Sequence, residues 1–148
     1  MPRPHGSRNV RRAVAAALPD KEERVVSLPT MQKAPLDNAP KDVHGDIFKQ
    51  TVNLDGVSVT KVTFGVGAKW SKDLKPYAGT KSCLLPHVAY VLSGAITIRM
   101  DNGSEEVFRA AEVMMLPPGH DGWTVGAQPC EFVEFSRGNC YYDDVAKK

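Results

Sequence analysis

The sequence predicts an all-β chain of antiparallel strands closed as a sandwich or barrel, and three observations carry that reading. Short apolar runs alternate with polar residues, Gly and Pro turns punctuate them regularly, and no stretch of the body sustains a helical period. The length of 148 residues fits one domain. An apolar content of 42% is enough for a core that needs no staples.

The elements follow in order from about Asp46. Ile47-Phe48 opens the first apolar run. Val57 and Val59, then Val62, Phe64 and Val66, alternate with one step out of phase near Lys61, where a β-bulge would restore the face. Gly65 and Gly67 end that segment before Trp70. Val88–Leu92 is stopped by Ser93-Gly94, and Ile96, Ile98 and Met100 then alternate with Thr97 and Arg99. Asp101-Asn102-Gly103-Ser104 is the strongest local signal, because Asn-Gly accepts the positive φ of a tight hairpin between two strand-like runs. Val107-Phe108 returns, Val113–Leu116 runs up to Pro117-Pro118-Gly119, and Trp123–Val125 follows. The last strand holds Cys130, Phe132 and Phe135, with charges at Glu131 and Glu134.

Residues 1–44 read as a basic, Pro-containing extension, mostly poorly ordered, and residues 138–148 as a tail. Residues 1–30 carry six basic and three acidic side chains, so the excess of 19 basic over 17 acidic residues in the whole chain belongs to this leader. The remainder is nearly neutral, which gives a nucleic-acid partner no support. No window approaches the ~18 apolar residues of a membrane span. Four arginines precede the first acid, Asp20, as in an organelle transit peptide. Without a secretory apolar run, the expectation is a cytoplasmic protein, with organelle import as the alternative. Three cysteines, an odd number, argue against a disulfide scaffold.

The run His87–Gly94, the Asn-Gly hairpin and the run Ala111–Gly119 together resemble the two-motif body of a small single-domain cupin of the conserved-barrel kind. Further shared features are Trp70-Ser71, Lys75-Pro76, Gly79-Thr80, Cys83, Tyr90–Gly94 and Pro117–Trp123, and the likeness covers roughly residues 45–137. It implies a double-stranded β-helix, the jelly-roll barrel, with one metal inside. The usual pattern places two histidines and a glutamate ahead of the glycine equivalent to Gly94. Here those positions hold Lys81, Cys83 and His87. The histidine of the second motif corresponds to Gly122, and His120 stands two residues earlier. The resemblance therefore points to a subgroup with Cys and His in place of the usual His/His/Glu set.

On an extended strand Cys83 and His87 share a face but lie roughly 13 Å apart, too far to share an ion. A kink at Leu85-Pro86 would bring them together. By strand parity His120 faces the same interior as position 122. A thiolate with two imidazoles suits Zn²⁺, then Fe²⁺, and three protein ligands leave a position open for water or substrate. The competing reading makes Cys83 a small buried hydrophobe, His87 a histidine hydrogen-bonded at the barrel mouth and His120 a loop histidine.

Asp121 either orients His120 or is a turn residue. Lys81 either points inward, lowering the thiol pKa or binding a substrate carboxylate, or is exposed. Trp70 and Trp123 line a pocket or close the barrel ends, and Tyr90 is a further candidate for the pocket. Cys130 reads as core packing. The function expected is a domain that binds a divalent metal, a small molecule or both inside the barrel, with no specific reaction readable. The alternative is a non-catalytic sensor or a dimerisation module without metal. Enzyme and binding protein stay equally open, and the expected partners are a small-molecule ligand and a second copy of the chain.

Overall fold

Antiparallel pairing organises the chain into two sheets. The computed structural model describes residues 30–136, so the expectations for the first 29 residues and for the tail lie outside the described residues. The strands are β1 (Asp42–His44), β2 (Ile47–Leu54), β3 (Val57–Phe64), β4 (His87–Ser93), β5 (Ala95–Met100), β6 (Glu105–Arg109), β7 (Val113–Leu116), β8 (His120–Thr124) and β9 (Cys130–Ser136). A six-stranded sheet runs β1-β2-β3-β9-β4-β7, and a three-stranded sheet runs β6-β5-β8. Side chains alternate across each strand, so the two inner faces meet in one core. The large sheet supplies Ile47, Val62, Val91, Met114 and Phe132, and the small sheet supplies Ile96 and Ile98. Complete burial of a side chain such as Ile47, Val91 or Met114 contributes on the order of 1.5–3 kcal/mol.

Turn chemistry sets the strand ends. Gly94, between β4 and β5, has φ 73°, and a Cβ there would stand 2.2 Å from the Pro129 carbonyl oxygen. Only glycine fits where the chain leaves one sheet for the other. The predicted hairpin joins β5 to β6, with Arg99 opposite Glu105. Gly103 alone takes positive φ there, while the Asn102 side chain accepts a hydrogen bond from the Ser104 amide at 2.9 Å.

Two expectations need correction. Pairing of β3 with β2 and with β9 is continuous through Lys61, so no bulge lies there. The change of phase marks a change of environment, because only the final Val62-Thr63-Phe64 of β3 is fully buried. The irregularity falls instead between Val91 and Ser93, where β4 pairs with β9. Two four-residue helices, α1 (Trp70–Asp73) and α2 (Lys75–Ala78), are too short to show a period in the sequence. The ordered body also begins before residue 45. A 3₁₀ turn at Leu36–Asn38 precedes β1, and the Gln50 side-chain amide donates to the Asp37 and Ala39 carbonyls at 2.9 and 3.1 Å. Lys61 pairs with Asp37.

Among the described residues no helix is long and apolar enough to cross a membrane.

Candidate functional site

Cys83, His87 and His120 meet between the two sheets. Cys83 lies outside the named strands in a bridge to His120 of β8, its amide donating to the His120 carbonyl at 2.8 Å. His87 begins β4 and lies opposite Leu116 of β7 in the large sheet. The chain therefore turns from one sheet to the other over Leu84-Leu85-Pro86. Pro86 bars a continuous ladder through this stretch, since it has no amide hydrogen to give. The extended separation of roughly 13 Å gives way to an Sγ–Nε2 distance of 3.6 Å between Cys83 and His87. The kink, not the straight strand, is what forms.

One donor atom from each of the three residues lies within 4.8 Å of the others. Both imidazoles are held from behind. His87 Nδ1–H donates to Glu134 of β9, and His120 Nδ1–H donates to the Pro117 carbonyl at 2.8 Å. Their Nε2 atoms are thereby left to face the thiol. Zinc bonds of about 2.3 Å to sulfur and 2.05 Å to nitrogen, at a tetrahedral angle, put the two donors about 3.6 Å apart. The Cys83–His87 pair has that spacing at 3.6 Å. The residues present fit a divalent ion of the zinc or iron type, with the tautomers that ligation by Nε2 requires.

Electrostatics set the protonation of the trio. Burial pushes the Cys83 thiol up, but hydrogen bonds to His120 and His87 and the field of both rings outweigh it, drawing the pKa from 9.0 down to about 6. Burial pushes His87 down, but hydrogen bonds to Cys83 and Glu134 and their negative charges carry it from 6.5 up to about 9. Without metal, both shifts favour the thiolate–imidazolium form of the pair.

The trio opens on a cavity of about 60 Å³, enough for a few waters or a small ligand. Trp70, Phe64, Ile98, Leu116 and Phe132 make most of its wall apolar, and Lys49, Glu134 and the trio are its polar groups. Gly122 also faces inward, and a Cβ there would stand 2.8 Å from Ile98 Cδ1. A side chain at that position would have to displace the end of Ile98, and His120 reaches the same interior from two residues earlier.

The remaining candidates divide. Trp70 is buried in the cavity wall. Trp123 points away from the cavity, with Lys69 Nζ 5.0 Å and the Arg99 guanidinium 5.3 Å from its ring centre. Tyr90 lies on the outer face of β4, 42% exposed, because inward positions alternate through Ala89 and Val91. Lys81 is exposed and does not line the cavity. Asp121 does not touch His120; its carboxylate accepts from the amides of Ser71 and Gly122 at 3.1 and 2.8 Å, fastening α1 to β8. Cys130 is in the core as expected, while Phe135 is 53% exposed.

Two site residues escaped the sequence reading. Glu134 is in phase with buried Cys130 and Phe132 along β9, and that parity marks it as an inward carboxylate. Lys49 shares the inner face of β2 with Ile47 and lies opposite Val62, a parity that an unbroken β2–β3 pairing would have revealed.

No protein-family model matches the chain, and no curated protein matches it. Solved structures do. An RmlC-like cupin from Shewanella frigidimarina matches at a TM-score of 0.54 and 16% identity, over 77% of this chain and 97% of that one. A cupin 2 conserved barrel domain protein from Salinispora arenicola matches at 0.54 and 17%, over 80% and 98%. KdgF from a Halomonas species matches at 0.54 and 18%, over 78% and 99%. Antiparallel strands in two facing sheets, joined by glycine turns and a central hairpin, give this chain the cupin fold.

Proposed function

We propose that the protein binds one divalent metal through Cys83, His87 and His120 and takes a small molecule into the cavity beside it. The observation that carries this reading is the convergence of three donor atoms whose two imidazoles are both fixed through Nδ1. A bound Zn²⁺ or Fe²⁺ would supply Lewis acidity toward a carbonyl or water. The chain's own residues do the rest. Glu134 and the Pro117 carbonyl hold the rings in position, and Phe64, Trp70 and Phe132 keep the cavity poor in water.

The partner we propose besides the ligand is a second copy of the chain. Tyr90 lies opposite Val113 on the outer face of the large sheet, with Leu92 and Met115 beside them, all exposed. Such contiguous apolar surface is typical of interfaces.

The rival reading is a sensor or dimerisation module without metal. It draws on one observation: the thiolate and imidazolium satisfy each other without an ion. Element analysis of protein purified without chelator separates the two. Stoichiometric zinc or iron, lost in a His87→Ala, His120→Ala double variant, is the expected result. A folded wild type that is free of metal and takes up neither added ion overturns the proposal. Turnover that vanishes in the same variant would make the protein an enzyme rather than a sensor.

A further inference from the structure

The cavity is lined by one further charged residue besides Glu134 and the metal-ligating trio. Lys49 projects from the inner face of β2, opposite Val62 of β3, into a wall otherwise formed by Phe64, Leu74 and other apolar side chains. Among the described residues it joins no ion pair. Lys49 is half-buried, and a cation that borders an apolar wall without a protein partner is available to pair with an anion entering the cavity. The carboxylate of the cavity lining, Glu134, is already engaged by His87.

Charge bookkeeping gives the partner's sign. A divalent ion is cancelled by the Cys83 thiolate and the Glu134 carboxylate, which leaves Lys49 as the charged residue of the lining without a counter-ion in the protein. A neutral occupant would leave that charge standing, and a cation would double it. A planar anion with two oxygens can meet an ammonium and an open metal position together. A volume of about 60 Å³ admits only a compact one.

We propose that the ligand of this cavity is a small organic carboxylate, with Lys49 as its specificity-determining residue. The proposal rests on the metal reading of the same cavity and deepens it. Lys81, the lysine that the sequence offers for this role, is exposed and does not line the cavity.

Calorimetric titration of the full-length, zinc-loaded protein with acetate and pyruvate, and with uncharged acetamide as control, tests it. The expected result is binding of the carboxylates and not of acetamide. Lys49→Met should weaken the carboxylates by about tenfold or more, the size of a lost charge-assisted hydrogen bond. Lys49→Arg should keep affinity within a few fold, and zinc content should be equal in all three proteins. Unchanged affinity in Lys49→Met, or acetamide binding as well as acetate, overturns the proposal. If Lys49→Met does not fold, Lys49→Gln replaces it with the same criterion. If the wild type takes up no zinc, the metal reading fails. The same titration of metal-free protein then decides this one: carboxylate binding that depends on Lys49 upholds it, and its absence overturns it.

Discussion

Cys83 and Cys130 are both buried, at 5% and 0% exposure, yet their surroundings give them opposite chemistry. Cys130 sits on β9 in the core, where burial, followed by the charge of Glu131, pushes its thiol up to about 11. Cys83 pays the same desolvation penalty, but two histidines face it and bring it to about 6. Burial alone makes a cysteine inert; burial beside fixed hydrogen-bonding imidazoles makes it a thiolate. The lesson is that a site differs from a core by the partners of its polar atoms, not by its exposure.

The largest expected effect tests this contrast directly. In metal-free native protein at pH 7, Cys83 should be mostly ionised and Cys130 ionised to about one part in ten thousand, given values of about 6 and about 11. Iodoacetamide followed by peptide mass mapping should therefore modify Cys83 far faster than Cys130. Because the thiolate is the nucleophile, the Cys83 rate should rise with pH through about 6 and level off above it. Added zinc should suppress it. Equal rates for the two cysteines would break the comparison.

A smaller effect concerns the cause. His87→Ala should return the Cys83 midpoint from about 6 toward its ordinary 9.0, read from the pH dependence of thiolate absorbance. Glu134→Gln should move it in the same direction but less, since the amide leaves His87 in place and removes only the charge behind it. A midpoint unmoved by His87→Ala would show that the ring is not what ionises the thiol.

The smallest effect lies in stability. Cys130→Ser places a hydroxyl in an apolar core and should cost about 1–3 kcal/mol in chemical denaturation of the metal-free protein. Cys83→Ser should cost less, because its neighbours can hydrogen-bond a hydroxyl. The reverse order would sink the comparison.

How much of this was legible in the sequence follows from how local each signal is. The Asn102-Gly103 hairpin and the Gly94 turn are fixed by backbone conformations that few residues accept, so the strands around them fall where expected. Cys83, His87 and His120 stand out because strand parity and the motif resemblance single them out together. Glu134 and Lys49 were hidden because each reads as an ordinary polar residue on an alternating strand; parity with Cys130 and Phe132 turns Glu134 inward, and the β2–β3 register does so for Lys49. Trp123 and Asp121 misled for the same reason. They neighbour His120 and Gly122 in sequence, but a strand sends adjacent side chains to opposite sides. The 3.6 Å approach of Cys83 to His87 depends on a bend that Leu85-Pro86 marks locally, whereas its course from one sheet to the other is set by long-range pairing.

That bend has a mechanical consequence. Cys83 and His120 are anchored to the small sheet, and His87 and its supporting Glu134 to the large one. Any ligand gripped by all three side chains is a rivet through the sandwich, and prying the layers apart would require releasing it. Its binding free energy would then add to the work of opening the barrel, growing with the logarithm of ligand concentration over its Kd. Occupancy and resistance to unfolding would rise and fall together, so the barrel itself would register what its cavity holds.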